Sequence, residues 1–86
     1  MPAEITLFTK NIIRGKNTYY LEYIILEKDN HYGIKIKSTL RKNTESEVIF
    51  PIQLTKEETL NFMGVLSRNL VFPISLPEIY EDYIYD

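Results

Sequence analysis

Two stretches decide the fold: Thr18-Tyr19-Tyr20-Leu21-Glu22-Tyr23-Ile24-Ile25-Leu26-Glu27-Lys28 and Tyr32-Gly33-Ile34-Lys35-Ile36-Lys37-Ser38-Thr39-Leu40-Arg41. In the second, Tyr32, Ile34, Ile36, Ser38 and Leu40 alternate with Gly33, Lys35, Lys37, Thr39 and Arg41. A period of two sends successive side chains to opposite sides of a sheet, so 32–41 reads as a strand with one core face and one water face. In the first stretch, Tyr19, Leu21, Tyr23 and Ile25 share one face and Tyr20, Glu22, Ile24 and Leu26 the other. A strand apolar on both sides is a central one, which places 18–28 inside the sheet.

The surrounding sequence extends this pattern in both directions. Asp29-Asn30-His31 carries side chains that close turns and tolerate left-handed backbone, so the two strands form a hairpin. Upstream, residues 4–13 are rich in Ile, Thr, Leu and Phe, and Arg14-Gly15-Lys16-Asn17 supplies a glycine suited to positive φ, which predicts a first hairpin. Downstream, Lys42 to Ser46 reads as a polar loop and Glu47 to Leu54 as a fourth strand with Val48, Phe50, Ile52 and Leu54 inward. Pro51 cannot donate to a ladder, which argues for an edge position.

Helical signals take over at Thr55-Lys56-Glu57-Glu58, a capping box in which threonine hydroxyl and glutamate carboxylate satisfy each other's orphan amides. On the following helix Leu60, Phe62, Met63, Leu66 and Leu70 fall on one arc and Glu57, Asn61, Gly64 and Arg68 opposite. The arc is expected to cover Ile34, Ile36, Phe50 and Ile52. Ser75-Leu76-Pro77-Glu78 repeats the capping pattern, with a proline allowed in the first turn, ahead of a short helix whose Ile79, Tyr80, Tyr83 and Ile84 share a face. The expected architecture is α+β, a single domain over 1–86. A four-stranded antiparallel β-meander carries one long and one short C-terminal helix on one face.

Composition bounds the function. With 86 residues and 44% hydrophobic content there is material for one modest core, burying roughly 64% of the unfolded chain's surface. The absence of cysteine excludes disulfides, thiolate metal sites and cysteine nucleophiles. The N-terminal residues show neither a basic segment nor an apolar run of leader type, and no stretch is long enough to span a bilayer, so the expected setting is the cytosol, without membrane contact. Charge is lopsided. Residues 1–43 carry eight cations against four acids, a net +4, and residues 44–86 carry two against eight, a net −6.

The order of features resembles a known family. Tyr19-Tyr20-Leu21-Glu22-Tyr23, Tyr32-Gly33-Ile34-Lys35-Ile36, and Pro73-Ile74-Ser75-Leu76-Pro77-Glu78-Ile79-Tyr80-Glu81-Asp82-Tyr83 together look like a family of small proteins of unknown function from Gram-positive spore-forming bacteria. The likeness spans nearly the whole chain. It implies a bacterial cytosolic setting and no particular activity.

Candidate chemistry is sparse. The single histidine, His31, sits in a turn beside Asp29, where a solvated residue needs no catalytic role. Glu78, Glu81 and Asp82 stand at i, i+3 and i+4, a conceivable Mg²⁺ or Ca²⁺ face but more simply a solvated acidic one. Gly15, Gly33 and Gly64 are isolated, so no phosphate-cradling loop is present. The expectation is therefore a non-enzymatic binding module without cofactor or metal, acting through protein contact. Ile79, Tyr80, Tyr83 and Ile84 are the candidate partner surface, and a second copy of the chain is one candidate partner. The alternative is a small nucleic-acid binder using Lys35, Lys37 and Arg41 on the outer sheet face, against which the net charge of −2 argues.

Overall fold

Three tight turns fold the first half of the chain into a ladder. The computed structural model describes residues 1–85. Its strands are β1 (Ala3–Arg14), β2 (Asn17–Lys28), β3 (His31–Leu40) and β4 (Asn43–Ile49), antiparallel and in the order β1-β2-β3-β4. The closing pairs Arg14↔Asn17, Lys28↔His31 and Leu40↔Asn43 leave two residues per turn. Such turns match strand twist only when a central residue is left-handed. Gly15 takes φ 62°, Asp29 and Asn30 take 53° and 65°, and Arg41 takes 57°. The glycine, aspartate and asparagine are the residue types that accept this geometry. Arg41 is not, and its turn is the strained one. Arg41 thus leaves the strand assigned to it from sequence.

β4 departs from expectation in place and in phase. It covers 43–49 rather than 47–54, and residues 43–46 are strand rather than loop. The early turn at Arg41-Lys42 brings the chain straight back, and Thr39 and Thr44 then stand opposite each other with hydroxyls 3.4 Å apart. This register sets Ile49 opposite Ile34 and Glu47 opposite Ile36, so Val48 points away from the core and is 46% exposed. After Ile49 the chain wraps the sheet edge. Phe50 crosses to the outer face and lies over Gly33, where an added β-carbon would meet the Ile49 carbonyl and the Phe50 ring at 2.6 Å. Pro51 ends the pairing. The Ile52 N–H then donates to the Tyr32 carbonyl at 2.8 Å and its side chain enters the core.

The helices lie on one face, giving a body 16 Å thick along its short axis. α1 (Lys56–Arg68) starts at the expected capping box. The Glu58 N–H donates to Thr55 Oγ1 at 3.1 Å and the Thr55 N–H to Glu58 Oε1 at 2.9 Å. Phe62, Met63 and Leu66 are fully buried against Leu21, Tyr23, Ile34 and Ile36, each such side chain contributing roughly 1.5–3 kcal/mol. Leu60 and Leu70 are exposed instead, at 39% and 40%, and Phe50 is on the other side of the sheet. The inward line runs through Thr59, Phe62, Met63 and Leu66, and the helix stops before Leu70. The Val71 N–H donates back to the Leu66 carbonyl at 3.1 Å and the Leu70 N–H to the Ser67 carbonyl at 3.2 Å. This is a Schellman stop, with Leu70 at φ 52° in the left-handed position that glycine usually fills.

Ser75 lies in a single 3-10 turn, Pro73–Ser75, that runs into α2 (Leu76–Tyr85). Leu76 is fully buried, and Ile79 and Tyr80 pack against the core. The outer sheet face is less open than a water face. Ile24 and Leu26 there are each 3% exposed, with Lys35 opposite Ile24 and Gly33, under Phe50, opposite Leu26.

Candidate functional site

A four-strand meander places its first and third turns at the same end of the sheet. Here that end gathers Arg14 and Lys16 from one turn and Arg41 and Lys42 from the other. Among the described residues the ion pairs are Lys35 with Glu4 at 3.3 Å and Lys37 with Glu22 at 3.8 Å, so these four cations are unpaired. On the helix side of the same end, a groove of about 580 Å³ opens between the sheet and the segment Asn69–Ser75.

The groove is built around Phe72. The Arg14 guanidinium lies 4.2 Å from the Phe72 ring centroid, and Tyr19 packs edge-on against the same ring at 5.3 Å. A guanidinium on an aromatic face is held in orientation by the ring quadrupole. Ser38 and Glu45 supply polar groups from the sheet, and Ile79 closes the groove from α2. Leu70 and Ile74 also line it, and Ile74 is 84% exposed. The Schellman stop is what puts them there. By turning the chain at Leu70 it sends Val71 into the core and leaves Leu70 exposed. An aromatic-stacked arginine beside exposed aliphatic side chains, at the end of the sheet where the turns carry three further cations, is suited to holding an apolar group with negative charge near it.

Tyr23 anchors the groove from beneath. Its hydroxyl donates to the Val71 carbonyl at 3.0 Å, and burial pushes its pKa up to about 12.

Of the residues singled out from sequence, Ile79 reaches this groove. Tyr80 accepts a hydrogen bond from the Gln53 N–H at 2.9 Å, and Tyr83 stacks on Phe62 with ring centroids 4.3 Å apart. Ile84 lines a second, shallower cleft with Ile49, Pro51 and Tyr80. The aromatic face of α2 is thus largely turned onto its own domain, although Tyr83 remains 43% exposed. Lys35, Lys37 and Arg41 do not form one surface: the two lysines are ion-paired within the sheet and Arg41 is in the turn. His31 is an exposed residue at the start of β3, opposite Lys28. Among the described residues no three His, Asp or Glu side chains gather as metal ligands, and no helix is long and apolar enough to cross a membrane.

Sequence reasoning missed Phe72, Leu70 and Ile74 as site residues. One signal was present: the first and third turns of any meander are neighbours, so basic residues at 14, 16, 41 and 42 converge. Residues 4–86 match the model of a family described as a family of unknown function (DUF6514). No curated protein and no solved structure matches the chain.

Proposed function

We propose, from the premise that the chain belongs to this family of unknown function, that it is a non-enzymatic module that binds protein. The partner offers a segment in which an apolar side chain is flanked by carboxylates, and the groove beside Phe72 receives it. One observation carries this reading: Arg14, oriented by Phe72, lines one groove with the exposed Leu70 and Ile74 at the end of the sheet where four cations have no acidic partner among the described residues. Arginine, tyrosine and aromatic groups in a concave, partly dry setting are the usual energetic centre of a protein contact. A bacterial cytosolic setting is part of the same proposal, supported by the resemblance of the chain to small proteins of spore-forming bacteria.

Nucleic-acid binding through Lys35 and Lys37 has less support, because Glu22 and Glu4 stand beside them and lower the positive potential there. A catalytic role has less still. The titratable group most displaced from its ordinary behaviour, Tyr23, is sealed from water and spent on a backbone carbonyl.

Selection from a phage-displayed library of random peptides tests the proposal directly. The expected result is enrichment of peptides pairing an aliphatic or aromatic residue with Asp or Glu, with binding lost in Arg14→Glu and weakened roughly tenfold in Ile74→Ala. Enrichment that is indifferent to both substitutions overturns the groove. Salt-sensitive binding of single-stranded RNA at physiological salt, abolished by Lys35→Glu and Lys37→Glu, establishes the alternative instead.

A further inference from the structure

The two edges of the sheet are not equivalent. β4 is short, carries Glu45 and Glu47, and runs into Pro51, which has no N–H to offer, so this edge is guarded against pairing. β1 is twelve residues long, contains no proline and has Glu4, Lys10 and Arg14 as its only charges. Its register slips once, between Thr6 and Phe8, and from Phe8 to Arg14 it pairs residue for residue with β2. That run presents about 23 Å of regular strand whose outer edge has no neighbour. It is also apolar where it meets water: Ile13 is 76% exposed and Phe8 38%.

We infer that a second copy of the chain pairs with this edge. The two β1 strands run antiparallel about a twofold axis at Asn11 and join two sheets into one of eight strands. The self-complementarity of the run argues for a second copy. With Asn11 on the axis, Phe8 stands opposite Arg14 of the other copy and Lys10 opposite Ile12 on the helix-bearing face, while Thr9 stands opposite Ile13 on the outer face. No like charges are directly opposed, the arginine meets a ring, and the most exposed strand isoleucine gains a cross-strand neighbour. The symmetry also ends the assembly. Each copy has one such edge and uses it up, whereas β1 on β4 would grow without limit and is opposed by the proline and shortness of β4. Arg14 is the one residue of β1 that also lines the groove, and the substitutions that test the pairing, at Thr9 and Ile13, leave it untouched, so the two readings fail separately.

Light scattering over a concentration series tests it. The expected mass rises from 10.2 kDa to twice that value and stops. Thr9→Asp combined with Ile13→Asp sets like charges opposite each other at two places in the pairing. This variant is expected to weaken the dimer at least roughly tenfold while circular dichroism and melting of the monomer are retained. Thr9→Lys combined with Ile13→Asp sets opposite charges at the same places and is expected to keep the dimer. A chain that stays monomeric up to millimolar concentration, a mass that climbs past two copies, a dimer indifferent to the Asp/Asp variant, or a Lys/Asp variant as weak as Asp/Asp each overturns the inference.

Discussion

The Tyr23 hydroxyl donates to the Val71 carbonyl at 3.0 Å, tying the centre of the sheet to the residue just past the stop of α1. Both side chains are buried, Tyr23 completely. Removing the donor leaves a buried carbonyl without its partner, and such a group costs about 1–3 kcal/mol. Tyr23→Phe is therefore expected to lower the urea midpoint by that free energy with an unchanged denaturant slope. An unchanged midpoint would show that the Val71 carbonyl is satisfied elsewhere.

The same phenol makes stability depend on alkaline pH. Its pKa is raised from 10.0 to about 12 by burial, so between those values the unfolded chain has lost a proton that the folded chain retains. The contribution is fully present below pH 10 and is lost as pH rises towards 12, at up to about 1.4 kcal/mol per pH unit. Urea titrations across this window are expected to show a steeper fall for the natural chain than for Tyr23→Phe. Parallel slopes would remove Tyr23 from the account.

Leu66 and Leu60 share a helix and differ in surroundings. Leu66→Ala empties a fully buried site and is expected to cost about 2–5 kcal/mol, whereas Leu60→Ala, at a position 39% exposed, is expected to cost less than about 1 kcal/mol. Comparable losses measured by thermal unfolding would mean that the helix is rotated from the orientation described.

Two turns invite substitutions of opposite sign. At Gly15 an added β-carbon meets nothing within 4 Å, so Gly15→Ala isolates the backbone cost of φ 62° and is expected to destabilise by about 1 kcal/mol. Arg41, exposed at φ 57°, already bears that cost, and Arg41→Gly is expected to recover about 0.5 kcal/mol after the added freedom of the unfolded chain is discounted. Differential scanning calorimetry distinguishes the signs, and a destabilised Arg41→Gly would point to a side-chain role at the rim of the groove.

What could be read from the sequence was local. The alternation through 32–41 located β3 to within a residue at each end, and the Thr55–Glu58 capping box located the start of α1. β4 was misplaced because Thr44, Glu45 and Ser46 lie at an edge, where no burial imposes an apolar rhythm, while Phe50, Ile52 and Leu54 keep that rhythm in a segment that is no longer a strand. The helical wheel grouped Leu60 and Leu70 with Leu66 because it carries no knowledge of where the sheet lies or that the helix reverses at Leu70. The groove was beyond reach for a similar reason. Arg14 and Phe72 are 58 positions apart and meet only because the meander and the Schellman stop bring them together.

The crossing of Phe50 over Gly33 has a bearing on how this chain can drift. Any β-carbon at 33 collides with a backbone carbonyl and with the root of an aromatic side chain, neither of which can swing aside as the end of a lysine could. In a saturation library selected for folding, position 33 is expected to retain glycine almost alone, while Gly64, whose nearest obstacle is the tip of Arg68, tolerates alanine. Conserved glycine at the third residue after the β2–β3 turn, with an aromatic seventeen positions on, then becomes a marker by which distant members of the fold can be recognised after the surface charges have been scrambled.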